Sequence, residues 1–170
     1  MVRPAKKGLP MAEPNVLLVR IDNRLIHGQV ATQWNAVLGA GLIIVANDEV
    51  AANAMRQNLM KMAAPRGIRT RFLSVANAAD AIRESSERKG IFVVVETPAD
   101  ALALVQAGAP VTRVNVGNMH MTGDKRQVTP SVAVDERDVA AFRALRDAGV
   151  ELEIRRVPTA SAEDVEKLFA

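Results

Sequence analysis

The 170-residue chain has no cysteine, no tyrosine and only two histidines, and each absence excludes a kind of chemistry. Without cysteine there is no disulfide, thiolate nucleophile, zinc ribbon or iron–sulfur cluster. His27 and His120 lie too far apart in the sequence for a metal-ligand pair, and no H-E-x-x-H, P-loop or G-x-S-x-G motif occurs. Apolar runs fall short of the roughly 18 residues that a membrane-spanning helix needs. The chemistry must therefore come from carboxylates, hydroxyls, basic groups and two imidazoles.

The excess of positive charge, +3 in all, lies mostly at the N-terminus. Residues 1–14 hold three basic side chains against one acidic, and the rest of the chain holds 19 basic against 18 acidic. Nucleic-acid binding needs a basic stripe with stacking aromatic side chains, so a nearly neutral remainder with 3% aromatic residues argues against it. We interpret residues 1–14 as a flexible N-terminal extension and residues 15–170 as a single domain.

Short β-branched runs alternate with helical patterns along the domain. Strands that are apolar on both faces, separated by helices, are typical of parallel sheets covered on both sides. The sequence predicts an α/β fold: an open, mainly parallel sheet with helices on both faces and one short antiparallel strand. Among the helices we expect one that starts at Gly28 and a terminal one capped by Ser161. A third should be capped by Asp48 and carry an apolar stripe of Val50, Met55, Leu59 and Met62.

The loop after the first predicted strand is long and rich in polar side chains. It places Arg20, Arg24 and His27 directly before a helix start, where Gly28 and Gln29 follow. Ligands of parallel sheets bind beyond the carboxyl ends of the strands, and a helix N-terminus favours anions. Guanidinium groups bind phosphate oxygens, and a neutral imidazole beside them can attack a phosphorus centre. The pattern indicates phosphate handling, with a surface loop that merely caps the helix as the alternative.

A second polar loop, at residues 117–127, contains His120, Lys125 and Arg126. These side chains could complete an anion site with the first loop. An ordinary loop histidine beside a solvated pair of basic residues fits the same residue types. The residue types alone leave both interpretations open.

Residues 20–30, Arg-Ile-Asp-Asn-Arg-Leu-Ile-His-Gly-Gln-Val, closely resemble the active-site segment of one bacterial family. These are the IIB subunits of the mannose/fructose/sorbose family of the sugar phosphotransferase system (PTS). The resemblance spans about residues 15–157 and includes Asp48-Glu49-Val50 and the run Val-Asn-Val-Gly-Asn-Met at 114–119. The family fold that it implies is the open sheet already predicted. Asn23 departs from the aspartate of many relatives, and the second loop looks most like the N-acetylgalactosamine/galactosamine branch.

The resemblance implies a phosphotransferase component. His27 would take a phosphoryl group from a phosphohistidine of a IIA donor protein and pass it to a sugar substrate imported through membrane IIC and IID subunits. Related mannose-type subunits carry the phosphoryl group on Nδ1, as a protein-Nπ-phosphohistidine. Arg20 and Arg24 match basic residues that line the site, and Gly28 and Gln29 are expected to contribute to phosphoryl binding.

The resemblance also implies a cytoplasmic protein held at the inner face of the membrane by its partner subunits. We expect no metal and no other cofactor, because arginines, backbone N–H groups and the helix dipole can supply the positive field. The oligomeric state stays open, with a homo-oligomer among the alternatives. Two other classes of function also stay open: a regulatory domain that binds an anion without covalent chemistry, and a scaffold that only pairs with membrane partners.

Overall fold

The computed structural model describes residues 15–170, so the extension expected at residues 1–14 lies outside the described residues. Its central feature is a six-stranded sheet in the order β3-β2-β4-β1-β5-β8, in which every neighbouring pair is parallel. The six strands are β1 (Val16–Asp22), β2 (Leu42–Ala46), β3 (Arg69–Leu73), β4 (Ile91–Val95), β5 (Arg113–Asn118) and β8 (Glu151–Ile154). The predicted parallel α/β sheet is confirmed.

A small antiparallel hairpin lies beside the carboxyl end of β5. It consists of β6 (Arg126–Thr129) and β7 (Val132–Val134), which form a two-stranded sheet. The backbone of Met119, directly after β5, donates to the Ser131 carbonyl and accepts the Ala133 N–H, each at 2.9 Å. The sequence predicted one short antiparallel strand, and the structure has a pair. The turn between them contains Pro130, which cannot donate to a ladder and ends the first strand.

Helices cover both faces of the sheet, as predicted. One face carries α1 (Val30–Leu38), α2 (Asp48–Ala51) and α3 (Ala54–Ala63), whose apolar side chains pack on Leu18, Ile43 and Phe92. The other face carries α4 (Val75–Glu84), α5 (Pro98–Gln106) and α6 (Glu136–Asp147), which pack around Val19, Ile44 and Val93. Burial of alternate strand residues into two cores explains why the strands are apolar throughout. Across residues 15–170, every helix is too short or too polar to cross a bilayer.

Three helix predictions were wrong in detail. The first helix starts at Val30, because Gly28 has a φ of 49°, outside the helical region. The terminal helix is a short 3₁₀ helix, Val165–Leu168, capped by Asp164 instead of Ser161. A proline and small polar residues before it provide no apolar face that a longer helix could bury.

The third correction concerns the apolar stripe predicted on one helix. The chain forms two helices there, since the side chains of Asn47 and Asn53 each accept a capping bond at a separate helix start. Val50 is buried on α2, but Met55, Leu59 and Met62 are exposed on α3, which buries Met60 instead. The break resets the helical phase, so a stripe drawn through both helices identifies the wrong face of α3.

The connections between strands create a crevice at the carboxyl end of β1. The chain leaves β1 toward the α1 face, whereas it leaves the neighbouring strands β4 and β5 toward the other face. Loops that diverge from adjacent parallel strands leave an opening between them, which is where open α/β sheets bind ligands. The polar loop that contains His27 lies at this opening.

Candidate functional site

A buried ion pair anchors the site. Arg20 and Asp22, at the end of β1, are both almost fully buried, and an Nη atom of Arg20 donates to Asp22 Oδ2 at 3.1 Å. The other Nη donates to Asn115 Oδ1 on β5 at 2.6 Å and to the carbonyl of Arg155 at 3.3 Å. Burial lowers the pKa of the Arg20 guanidinium, and the Asp22 carboxylate opposes that shift. Paired and hydrogen-bonded in this way, the two charges are tolerated inside the sheet.

Arg20 lies in a close-fitting pocket that only a glycine leaves open. A Cβ atom at Gly117 on β5 would overlap the guanidinium carbon. On the other side, the ring of Trp34 from α1 lies 5.4 Å from that carbon. The sequence predicts that Arg20 binds the phosphoryl group beside His27; in the structure both of its Nη atoms donate to protein oxygens.

Asp22 joins this pair to the loop that carries His27. Its Oδ1 accepts the backbone N–H of Arg24 at 3.0 Å and lies 3.8 Å from Nδ1 of His27. The carboxylate therefore shapes the loop and is also the anionic group beside the imidazole. Asp22 was not among the predicted site residues, although its position two residues after Arg20 on a strand that ends at the loop was a usable signal.

Two buried side chains hold the loop against the sheet. Leu25 and Ile26 pack in the core under α1, and Leu25 adopts a φ of 58°, the only positive φ among non-glycine residues of the described chain. A branched residue in this region is strained, and the burial of its side chain offsets the strain. The turn brings the Leu25 carbonyl oxygen to 3.3 Å from Nδ1 of His27. The imidazole is thus held in place while its side chain stays 20% exposed.

The start of α1 lies directly after His27. Gly28 has the positive φ that makes the turn, with open space around its α-carbon, and Gln29 is the N-cap. Within residues 15–170, no side chain caps this helix and no acidic residue lies in its first turn. The Val30 N–H donates to the His27 carbonyl at 3.3 Å, and the remaining N–H groups at this end, with the positive end of the helix dipole, can meet an anion.

A basic cleft of about 410 Å³ adjoins the loop. Arg24, Arg155 and Arg156 line it against one acidic residue, Glu163, together with polar residues that include Ser131 and Ser161. Arg156 also lies close enough to Arg20 to lower its pKa further, and its carbonyl accepts the indole N–H of Trp34 at 3.4 Å. Arg155 and Arg156 were missed by sequence analysis, although they directly follow the last parallel strand, at the same edge of the sheet as His27.

The second loop approaches the site through one residue. Asn23 accepts the backbone N–H of His120, and the Asn23 N–H donates to the Asn118 carbonyl at 3.0 Å. The Asn23 amide also donates to the carbonyl of Glu96 at 3.4 Å, which ties the loops after β1, β4 and β5 together. His120 is thereby held next to the first loop with an exposed side chain.

The structure does not bring the other two predicted residues of this loop to the site. Lys125 pairs with Asp138 on α6 at 3.0 Å, and Arg126 donates to the carbonyls of Lys167 and Leu168 near the C-terminus. Both cations stabilise contacts elsewhere in the fold. The suggestion that they complete the anion site has no support in this geometry.

Comparison with known proteins identifies the family. The sequence profile of the PTS system sorbose subfamily IIB component matches residues 16–170. The chain belongs to this family. It is therefore a IIB component of a sugar phosphotransferase system, and the family resemblance drawn from residues 20–30 is confirmed.

Relatives of this IIB component cover its length well. The N-acetylgalactosamine-specific phosphotransferase enzyme IIB component 2 of Escherichia coli (strain K12) is 50% identical over 156 residues, which are 92% of this chain and 99% of the relative. The crystal structure of the N-acetylgalactosamine-specific IIB component 1 from Escherichia coli matches with a TM-score of 0.85 at 37% identity, covering 89% of this chain and 99% of that one. The mannose-specific EIIAB component of Escherichia coli (strain K12) is 40% identical over 159 residues, which are 92% of this chain but only 49% of that protein.

Proposed function

We propose that this IIB component carries a phosphoryl group on His27, between a phosphohistidine of a IIA donor and a sugar. The observation that carries the proposal is the placement of His27: partly exposed, at the crevice beyond β1, directly before the uncapped start of α1. In the first step a ring nitrogen of His27 attacks phosphorus, and the P–N bond of the donor breaks with its electron pair returning to the donor imidazole. In the second, a sugar hydroxyl attacks, the P–N bond to His27 breaks, and the freed nitrogen can take up the hydroxyl proton.

The proposed roles of the surrounding residues follow from their contacts. Arg24 and Arg156 are exposed beside the cleft and can meet the equatorial phosphoryl oxygens. The N–H groups at Gly28 and Gln29 and the dipole of α1 favour the same charge. Arg20 is a positioning residue, because its guanidinium holds Asp22 and Asp22 holds the loop. His120 is a further candidate contact from the second loop.

Whether Nδ1 or Nε2 of His27 accepts the phosphoryl group determines whether the imidazole must turn. Nδ1 faces the Leu25 carbonyl and the Asp22 carboxylate, and both oxygens would repel a phosphoryl group there. Transfer to Nδ1, which the family resemblance implies, therefore requires the imidazole to turn away from them. Transfer to Nε2 leaves the contacts in place. Long-range ¹H–¹⁵N NMR of the phosphorylated protein identifies the nitrogen and so decides whether the ring turns.

The partners in this proposal are a IIA donor protein and membrane IIC and IID subunits, with this chain at the cytoplasmic face of the membrane. The mannose-specific EIIAB relative supports the IIA partner, because its name joins A and B components and this chain matches about half of it.

N-acetylgalactosamine or galactosamine is the proposed sugar, since the relative with 50% identity is specific for N-acetylgalactosamine. We also propose that residues 15–170 form one IIB domain.

A phosphotransfer assay tests the proposal. Phosphorylated IIA is mixed with the wild-type chain and with the variants His27→Ala, His27→Gln and His120→Gln. We expect acid-labile label on the wild type and on His120→Gln, and none on either His27 variant. Label on His27→Ala would contradict the proposal. Saturable, reversible phosphate binding without any covalent label would instead support the non-covalent anion-binding domain, for which the basic cleft is the structural argument.

A further inference from the structure

Helix α3 turns a line of large apolar side chains to solvent. Met55, Leu59 and Met62 are 75%, 62% and 84% exposed, and their spacing places them on one side of the helix. The opposite side buries Met60 against the sheet. Single exposed apolar residues are ordinary, but three in one line form a contiguous patch of the kind that marks an interaction surface.

Positive charge is concentrated in the same part of the chain. Between Glu49 and Asp80 there is no acidic residue, and there are five basic ones: Arg56, Lys61, Arg66, Arg69 and Arg71. The other described residues, 15–49 and 80–170, hold 14 basic against 18 acidic side chains. The described residues, nearly neutral as a whole, are therefore divided along the sequence into a basic segment that contains α3 and β3 and a more acidic remainder.

Two of these cations lie beside the apolar line and are available. Lys61, on α3, extends over the ring of Phe72 with its nitrogen 5.9 Å from the ring centroid, and Arg66 lies in the turn after the helix. Neither takes part in an ion pair among the described residues, and both are exposed. Arg56 lies on the other side of the line and is partly neutralised by Glu49 at 3.6 Å.

Two more cations continue the charge onto the edge of the sheet. Arg69 and Arg71 lie on the outermost strand β3 and line a cleft with Arg88 and Lys89, against the carboxylates of Glu84 and Glu87. Four cations against two anions keep the edge positive. The charge therefore reaches from α3 around this side of the molecule.

The position of α3 decides what such a surface can do without blocking the site. The helix connects the carboxyl end of β2 to the amino end of β3, so it runs along the side of the sheet. His27 lies at the carboxyl edge, beyond the end of β1. A flat surface against α3 therefore covers the flank of the molecule and leaves the His27 edge open to other proteins.

We propose that the α3 surface, defined as Met55, Leu59 and Met62 with Lys61 and Arg66, binds an anionic lipid bilayer. The apolar side chains enter the boundary between headgroups and acyl chains, and the cations beside them meet the lipid phosphates. Charge complementarity favours this occupant over a second copy of the chain, which would bring the same positive charge against itself. The proposal does not depend on His27 and stands whether or not that residue carries a phosphoryl group.

Co-sedimentation with vesicles tests the proposal. The full chain is mixed with vesicles of phosphatidylglycerol and phosphatidylethanolamine, and separately with vesicles of phosphatidylcholine alone. We expect binding to the anionic vesicles at low salt, little to the neutral ones, and a loss at high salt because surface charges are screened. The double variant Lys61→Gln/Arg66→Gln should bind about 25-fold more weakly, at roughly fivefold per basic residue near the surface.

Matched control variants show whether a loss of vesicle binding is specific to the α3 surface. Leu59→Ser/Met62→Ser should also weaken binding, whereas Val37→Ser, an exposed apolar residue on α1, should not. Arg137→Gln/Arg143→Gln removes two exposed charges from α6, on the other face, and should leave binding unchanged. The α3 variants should accept phosphate from IIA in solution like the wild type, and His27→Ala should bind vesicles like the wild type. Failure of one proposal is thus distinguishable from failure of the other.

Several outcomes would overturn the proposal. Equal binding to neutral and anionic vesicles would do so, as would equal losses in the α3 and α6 variants. If the chain does not bind vesicles, and sedimentation shows a dimer for the wild type but a monomer for the serine variants, the α3 surface is a contact between copies of the chain. If the chain does not bind vesicles and the glutamine variants lose only their binding to the membrane subunits, the α3 surface binds an acidic protein.

Discussion

A buried guanidinium needs oxygen acceptors for its donors, and the two Nη groups of Arg20 bond acceptors on three separate parts of the sheet, while its buried Nε has no partner. Asp22 comes from its own strand, Asn115 from β5, and the Arg155 carbonyl from the end of β8. Bonds to charged groups are worth about 1.5–3 kcal/mol each and are costly to leave unmade. The position of Asp22, and through it the loop with His27, therefore depends on how well the guanidinium fits.

Gly117→Ala tests this dependence. The added methyl group overlaps the Arg20 guanidinium, which must shift and weaken its bonds to Asp22 and Asn115. We expect a loss of about 1–3 kcal/mol in the free energy of unfolding, measured in urea, together with slower phosphorylation by IIA. The matched control is Gly41→Ala, whose methyl group meets only the carboxylate end of Glu87, a flexible side chain. Similar losses in the two variants would contradict the role given to Arg20.

Asn23 tests the connection between the loops. Its amide both donates to the Glu96 carbonyl and accepts from the His120 N–H, and a carboxylate can do only the second. We expect Asn23→Asp to lower the free energy of unfolding by about 1 kcal/mol and Asn23→Ala by about 2 kcal/mol, in line with one or two lost bonds. Urea denaturation at neutral pH measures both. An aspartate variant as unstable as the alanine variant would show that the Glu96 bond is the only important one.

Site residues that lie close together in the sequence were easier to predict than those brought together by the fold. The positions of His27, Arg24, Gly28 and Gln29 beyond the first strand follow from a local run of residues, and the structure places them together. Asp22 was missed despite a local signal, whereas Arg155 and Arg156 reach the site through contacts between distant residues, since Arg20 and Arg155 are 135 positions apart. Lys125 and Arg126 have the right charge for an anion site, but composition does not reveal that Asp138 and the C-terminal carbonyls engage them.

Among the elements, the strands were predicted better than the helices for a physical reason. A strand buried on both sides is apolar throughout, so Ile91–Val95 is visible without knowledge of its neighbours. A helix such as α3 has an apolar residue on each side, and periodicity alone cannot say whether Met60 or Met62 meets the core. Tertiary packing makes that choice.

The start of α6 provides a prediction about pH. Asp135 and Asp138 form a reciprocal capping box, in which Asp135 Oδ1 accepts the Asp138 N–H at 2.9 Å and the Asp135 N–H donates to Asp138 Oδ2 at 3.1 Å. The accepted backbone bond is the largest cause that lowers the pKa of Asp135 below its ordinary value of 3.8. Its stabilising effect is therefore complete above that value and is lost as the pH falls through the lowered one.

Asp135→Asn and Asp135→Ala separate the charge from the cap. At pH 7, the alanine variant should be about 1 kcal/mol less stable than the wild type, and the asparagine variant should lie close to the wild type because it keeps an acceptor. Urea denaturation as the pH is lowered past 3.8 should show the wild type losing stability relative to Asp135→Asn. A constant difference between them at all pH values would contradict the lowered pKa.

For the molecule as a whole, the last residues of the chain fasten the hairpin to α6. Arg126 on β6 donates to the carbonyls of Lys167 and Leu168, and Leu168 is fully buried. Phe169 lies under the guanidinium of Arg146 at 3.9 Å. The 3₁₀ helix is short, but it closes one side of the core.

Leu168→Ala measures the strength of this closure. Removing a fully buried leucine side chain should cost about 2–3 kcal/mol and lower the melting temperature by roughly 4–10 °C in a domain of this size. Calorimetry gives the shift, and Leu59→Ala on the exposed side of α3 is the control, with little expected change. A small effect of Leu168→Ala would mean that the C-terminal segment is not needed to close the core.

At the same scale, net charge is a poor guide to how the molecule meets its partners. The domain is close to neutral in sum, and from this sum alone no charged surface is expected. The fold nevertheless places the basic residues between Glu49 and Asp80 on α3, in the turn after it and on the edge strand β3. A steady charge difference between two sides also gives the molecule a preferred orientation near a charged surface.

The hydrogen bond from Arg20 on β1 to the carbonyl of Arg155, directly after β8, also determines when the candidate site can form during folding. A ribosome releases Arg20 and His27 well before the Arg155 carbonyl that holds Arg20, because that carbonyl lies 135 positions after Arg20. Closing such long-range contacts is the slow part of folding in parallel sheets. A chain that has not yet reached Arg155 therefore displays the histidine without this supporting contact, and the arrangement around His27 is complete only after β8 has joined the sheet.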